Sequence, residues 1–214
     1  MTAAERIVMA HLFVDHSNIW GGARAASRLK EPGATPDISA RVSIRHLNRI
    51  LGGDKQGVST KIVSGGIPPG MEGVWSEYQT FGYDTQKLVR DDDWKERGVD
   101  HTIIGHMWRL LAKYRDVPTL LVLASGDGGR NEFGTSFLEV LEEVLTRDTY
   151  VSWQVKVASF DWEYPNKPGI RSPTAAKMKR LVETSQRAQF VNLFDAYGKV
   201  VYHQEWTPPK SGFS

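Results

Sequence analysis

The stretch Leu120–Phe137, LLVLASGDGGRNEFGTSF, decides the fold when it is set beside His11–Gly22, HLFVDHSNIWGG. Each carries an apolar run that stops abruptly at a carboxylate, Asp127 in one and Asp15 in the other. A buried strand needs the apolar run, but nothing in a hydrophobic core needs the Asp that ends it. In an open parallel sheet the carboxyl ends of adjacent strands meet in one crevice, and ligands bind there. Two carboxylates within about 4 Å would repel by roughly 4 kcal/mol at an effective dielectric near 20. Such a pair is tolerated when a divalent cation sits between them or when one of them is protonated.

Outward from these two stretches, strands and helices alternate. The first strand is expected over Ile7–Val14, with Ser17 as the N-cap of a short helix or ordered loop over Ile19–Leu29. Helical spacing runs through Val42–Leu51 and is broken by Gly52–Gly57. Strands are expected at Thr60–Ser64, Thr85–Val89, Thr119–Ala124, Val151–Phe160 and Phe190–Phe194. Helices are expected at Val74–Phe81, Val99–Tyr114, Phe133–Leu145 and Thr174–Arg187. This pattern predicts an α/β three-layer sandwich, a central parallel sheet flanked by helices. The expected organisation is one domain over 5–206 and a loose tail, Thr207–Ser214.

At 214 residues the chain is long enough for one well-buried α/β domain. No run approaches the 18 or so apolar residues of a membrane helix, and the N-terminus lacks the features of a signal peptide. The absence of cysteine excludes disulfides and thiolate metal sites and fits a cytoplasmic protein. A net charge of +2 does not by itself argue for nucleic acid. Between Pro165 and Phe190, however, Lys167, Arg171, Lys177, Lys179, Arg180 and Arg187 face a single acid, Glu183. That run is either a solvated helix face or a phosphate-binding surface.

FVDHSNIWGG, KIVSGGIPP, KERGVDHTIIGHM and LASGDGGRNEFGTSFLEVLEEVL, in this order and spacing, resemble the NYN domain of the PIN-like superfamily of metal-dependent ribonucleases. The resemblance runs from about Leu12 to Phe160. It implies a PIN-like parallel α/β sandwich whose acidic cluster binds Mg²⁺ or Mn²⁺ and hydrolyses RNA. Carried over by position, Asp15, Asp100 and Asp127 would be the metal-binding and catalytic acids, and Asn18 a catalytic neighbour of the metal. Hard oxygen ligands suit such a cation, and metal-bound water is a better nucleophile at neutral pH. Arg24, Arg90, Lys95, Arg97 and Arg130, all near expected strand ends, are the candidates for the RNA backbone.

Two positions depart from the family pattern. His106 stands where members often have a further Asp, and Gly129 stands where many have a second acid after Ser-Gly-Asp. Such losses weaken cation binding and suit a catalytically silent RNA- or protein-binding module as the alternative. His106 could instead be a ligand, which would favour Mn²⁺ over Mg²⁺, and Glu132 is a further possible ligand at the next helix start. A haloacid-dehalogenase-type phosphatase would need a second Asp two residues after the first, where Ser17 stands.

Each of these residues also has a bland reading. Asp15 can cap a helix, Asn18 can bond its own turn, and Ser125 can fix a loop. Gly126, Gly128 and Gly129 fit turn geometry as well as a phosphate loop. His101 and His106 are five apart and so face different sides of a helix, where a zinc pair needs four. Trp153 and Trp162 are either core packing or, if exposed, base-stacking platforms.

Overall fold

The computed structural model describes residues 9–31, 39–66, 73–88, 98–131, 134–163 and 175–204. Strand β1 (Met9–Asp15) is buried at every position but its first, as a strand covered on both faces must be. After it come α1 (His16–Lys30), β2 (Ala40–Val42), α2 (Ile44–Leu51), β3 (Val58–Gly66), α3 (Gly73–Thr80) and β4 (Asp84–Leu88). The second half holds α4 (Val99–Lys113), β5 (Thr119–Ala124), α5 (Phe137–Thr146), β6 (Gln154–Ser159), α6 (Ala176–Glu183), β7 (Ala188–Asn192), α7 (Tyr197–Val200) and β8 (Val201–His203).

Six of the strands form one parallel sheet in the order β4-β3-β1-β5-β6-β7. The chain starts near the middle, builds outward to β4, then returns to the other side of β1 and builds outward to β7. The order therefore reverses between β1 and β5, and a crevice opens beyond the carboxyl ends of those two strands. Strand alternation sends Leu12, Val14, Val63, Val122 and Ala124 into a core shared with α1, α2 and α3. Phe13, Ile62, Leu121 and Leu123 point the other way, into a core shared with α4, α5 and α6. The result is the expected three-layer α/β sandwich, with helices on both faces of a parallel sheet.

Several boundaries differ from the sequence reading, each for a local reason. Asp15, not Ser17, is the N-cap of α1, with an extended backbone (φ −86°, ψ 92°) and its carboxylate accepting from the Asn18 N–H. The helix-like run from Val42 splits at Ser43, because Ala40–Val42 pairs antiparallel with Val201–His203 in a two-stranded sheet. Helix α5 starts at Phe137 because Ser136 and Glu139 form a reciprocal capping box. Gly52 ends α2 with φ 86°, a left-handed position that suits glycine. Trp153 and Trp162 are both buried in the core. Of the basic run, Lys179 is committed to the buried Asp161 at 2.8 Å, and Arg187 donates to the carbonyls of Leu145, Tyr150 and Trp153. The expected tail, 207–214, lies outside the described residues.

Two histidines are buried in these cores. His11 of β1 stacks on Tyr114 with ring centroids 5.2 Å apart. His16 of α1 sits edge-on to Trp75 and Tyr78, with Nδ1 3.2 Å from the Tyr78 hydroxyl. Burial disfavours the imidazolium and pushes both down to about 4, the nearby Lys113 adding to the effect at His11. Between pH 6.5 and 4 the unfolded chain therefore binds protons that the folded chain refuses, so these two groups make stability fall as pH drops. Each is expected to remove about 2 kcal/mol by pH 5. Urea midpoints measured from pH 7 to 5 should fall less steeply for His11→Phe, which keeps a ring against Tyr114. An equally steep fall would show that His11 charges without penalty.

Candidate functional site

The crevice at the reversal point is about 410 Å³ and is lined by Asp15, Ser17, Asn18, Gly98, Val99, Asp100, His101, Asp127 and Asn131. Three separate elements deliver its carboxylates. Asp15 closes β1, Asp127 follows β5 by three residues, and Asp100 lies in the first turn of α4. Helices α1 and α4 both begin here, so two positive dipole ends face the acids and partly offset their mutual repulsion.

A short polar chain holds the two strand ends together. Asp15 Oδ1 accepts from the Asn18 N–H at 3.0 Å, and Asp15 Oδ2 accepts from the Ser125 hydroxyl at 3.1 Å. Ser125 Oγ in turn accepts from the Asp127 N–H at 3.2 Å, and Asn18 Oδ1 accepts from the Gly126 N–H at 2.7 Å. Asp127 Oδ1 accepts from the Gly129 N–H at 2.7 Å, which fixes the turn beyond it. Ser125 is thus a fastener between strands and not a nucleophile. Space demands glycine at 126 and is tight at 128. A Cβ on Gly126 would stand 2.3 Å from Ser159 Oγ, and one on Gly128 would crowd Lys177 and Leu138 at 3.0 and 3.1 Å.

Asp15 is only 3% exposed. Burial, then the charge of Asp100 and more weakly that of Asp127, push its carboxyl up to about 8, against the opposing hydrogen bonds from Asn18 and Ser125. Asp15 therefore feels the charge of both other acids across the crevice. Among the described residues, no three His, Cys, Asp or Glu side chains are gathered into a ready-made ion cage. The donor set nonetheless includes the hard carboxylate oxygens of three acids, and each engaged Asp15 oxygen keeps a second lone pair. That suits an ion such as Mg²⁺ or Mn²⁺ that keeps several waters and takes one or two carboxylates plus a phosphate.

The other sequence candidates are placed differently. Asn18 is in the crevice, but its carbonyl is already spent on Gly126. His106 does not line the crevice; it lies further along α4, where burial and Arg109 lower it and Asp84 raises it. The histidine that does line it is His101, which the spacing argument passed over; its adjacency to Asp100 was the available signal. Arg130 pairs with Glu139 at 2.6 Å and donates to the Gly134 carbonyl, outside the lining. Arg24 lies on the flank of α1, over the Trp20 ring at 4.9 Å. Arg90, Lys95, Arg97 and Glu132 lie outside the described residues. Ser17 and Asn131 line the crevice although the sequence did not mark them as site residues: Ser17 Oγ accepts from the Gly66 N–H, and Asn131 Oδ1 accepts from Thr135.

No known protein family, curated protein or solved structure matches this chain.

Two outcomes follow for the crevice. Because folding raises the Asp15 carboxyl from 3.8 to about 8, the folded chain holds a proton that the unfolded chain has lost throughout that window. This group therefore makes stability fall as pH rises from about 4 to 8, opposite in sign to the two histidines. In EDTA, Asp15→Asn should flatten the decline of the urea midpoint between pH 6.5 and 8, and Mg²⁺ in place of EDTA should restore stability at pH 8 to the wild type alone. Matching declines in both proteins would remove the charge-crowding argument. Gly126→Ala should cost about 1–3 kcal/mol through overpacking against Ser159, read from thermal melts.

Proposed function

We propose that this protein is a divalent-metal-dependent ribonuclease that hydrolyses RNA phosphodiesters at the crevice between β1 and β5. One observation carries the reading. Asp15, Asp100 and Asp127, from three elements, line a single open crevice at the sheet's reversal point, where Asp15 responds to the charge of both partners. The resemblance of the four sequence motifs to the NYN domain suggests the substrate class, RNA, and a ribonuclease of the PIN-like kind. The proposed compartment is the cytoplasm, which the absence of cysteine fits; among the described residues no helix is long and apolar enough to cross a membrane.

In this reading Asp15, Asp100 and Asp127 would hold Mg²⁺ or Mn²⁺. When bound, the ion supplies a polarised water and neutralises charge on the phosphate. The protein's own groups set the geometry. Ser125 and the Asn18 N–H fix both oxygens of Asp15, and the Gly126 N–H fixes Asn18. The carboxylate of Asp127 is oriented by the Gly129 N–H, so it is presented to the crevice in one rotamer. Orientation of this kind removes the reorganisation that would otherwise accompany the reaction.

A silent RNA- or protein-binding module is the second reading. It is favoured by the lack of a ready-made ion cage among the described residues, and by Gly129 where the family often has an acid. Asp127→Asn separates the two, because an Asn oxygen can still accept from Gly129 while one charge is lost. Single-turnover cleavage of a mixed RNA pool should be supported by Mg²⁺ or Mn²⁺ and abolished by EDTA. In the variant it should drop by about 100-fold or more, with RNA binding retained. RNA binding by wild type without any EDTA-sensitive cleavage would establish the silent module instead.

A further inference from the structure

The basic run between Pro165 and Phe190 is not one surface, because the sheet topology divides it. In a parallel sheet each helix begins at the carboxyl ends of the strands and finishes at their amino ends. Helix α6 follows β6, so its first turn stands at the crevice end and its last turn at the far end. Lys167 and Arg171 lie outside the described residues. Lys179 is held by the buried Asp161, and Arg187 by three backbone carbonyls. Arg180 lies in the last turn of α6, where the helix carbonyls favour a cation. Lys177 is the second residue of the helix, where the dipole opposes a cation, and that turn contains no acid to offset it.

Two observations put this lysine beside the crevice with its charge uncommitted. Its stem lies against the Ser-Gly-Asp-Gly loop: a Cβ on Gly128 would stand 3.0 Å from Lys177 Cβ and 3.5 Å from its Cδ. Gly128 is the middle residue of the turn that Asp127 closes by accepting from the Gly129 N–H, and Asp127 lines the crevice. Lys177 is also exposed, and among the described residues its side chain makes no hydrogen bond or ion pair. A lysine that packs its carbons on a loop and leaves its charge in water is available to an anion at that spot. The crevice itself is lined by three acids and by no lysine or arginine. An RNA strand crossing it therefore depends on cations beside the lining for the phosphates that flank the bound one.

We propose that Lys177 is a substrate-binding residue of the crevice, holding an RNA phosphate next to the one at the three acids, on the Asp127 side. The assignment takes its ligand from the ribonuclease reading, but binding alone reads it out. Lys177 touches neither the ion nor the reacting phosphate; it binds and orients the strand, and so contributes equally before and during the reaction. The ammonium acts as a point charge with no bidentate partner to match, so arginine can replace it.

The test is fluorescence anisotropy with a labelled single-stranded RNA in EDTA, and single-turnover cleavage of the same RNA in Mg²⁺. Lys177→Gln should shallow the slope of log affinity against log salt by about 0.7, which raises Kd about fivefold at about 0.1 M salt. Lys177→Arg should restore both, and Arg180→Gln should leave both unchanged. In cleavage, Lys177→Gln should raise the half-saturating enzyme concentration and keep the saturated rate. In the wild type, which needs no variant to fold, RNA should slow chemical acetylation at Lys177 and not at the exposed Lys199 of α7. Unchanged affinity and slope in Lys177→Gln, an equal loss in Arg180→Gln, or protection of Lys199 no weaker than that of Lys177 would each overturn the assignment. A lower saturated rate at unchanged affinity would overturn it as well. Wild type that binds through Lys177 without cleaving would sink the nuclease reading and leave the assignment standing. Wild type that binds no RNA would overturn both.

Discussion

The arrangement depends on one buried carboxylate. Asp15 ends the central strand, caps α1 and lies where the sheet reverses direction, at the base of the crevice, where it is almost wholly buried. Leaving a charge there costs far more than a surface acid would, and the carboxyl responds by holding its proton to about pH 8. Everything nearby answers to that constraint. The Asn18 N–H and the Ser125 hydroxyl occupy its two oxygens, and Ser125 in turn orders the loop that presents Asp127. A site built for structure alone would replace Asp15 with Asn or Ser, which cap a helix equally well without the charge. An ionisable acid at this depth, opposite two more, is the feature on which the proposed function rests.

Much of this could be read from the residues because strand and helix periods are strong where a strand is buried on both faces. Thr119–Ala124 is a strand in both readings, since an unbroken apolar run of six between turn residues has little else to become. The meeting of Asp15 with Asp127 followed from the same logic, as both trail apolar strands. The small β2–β8 sheet could not be read. Its strands are three residues each, and they pair Ala40 with His203 across most of the chain, so neither carries a periodic signal of its own. The boundary at Phe137 was legible in principle, because Ser136 and Glu139 stand at capping-box spacing. His101 was missed for a different reason. Helical spacing tests whether two histidines can share an ion, but it says nothing about which residue at a helix start faces the crevice.

The glycines of the Ser-Gly-Asp-Gly-Gly loop show how one sequence feature supports rival accounts. Turn geometry and phosphate cradling both predict glycine there. Gly126, Gly128 and Gly129 are not among the glycines with positive φ, so turn strain is not what demands them. Gly126 is instead small because Ser159 of the neighbouring strand and Asn18 of α1 close on it from two sides. That contact draws β1, β5 and β6 together at their carboxyl ends. The crevice is therefore rigid at its base and polar at its rim, the division that a site needs if its acids are to stay fixed while a ligand exchanges.

The placement of positive charge follows from the same topology. In a doubly wound sheet the helix C-termini gather at the amino ends of the strands, opposite the crevice, and their carbonyls attract cations. Lys156 serves that need at the end of α2 by donating to the Ile50 carbonyl. Arg187 does so near the end of α5, with three carbonyls on its guanidinium. In the groove at that end, lined by Lys55, Lys156 and Arg187, two of the three cations are thus engaged with backbone carbonyls. At the crevice end the dipoles have the opposite sign, and an approaching phosphate meets helix N-termini as well as acids. In the proposed reading, a cation among the acids would let this end accept a phosphate, and one of its holders would be Asp15, the residue that also fastens the two strand ends together through Ser125.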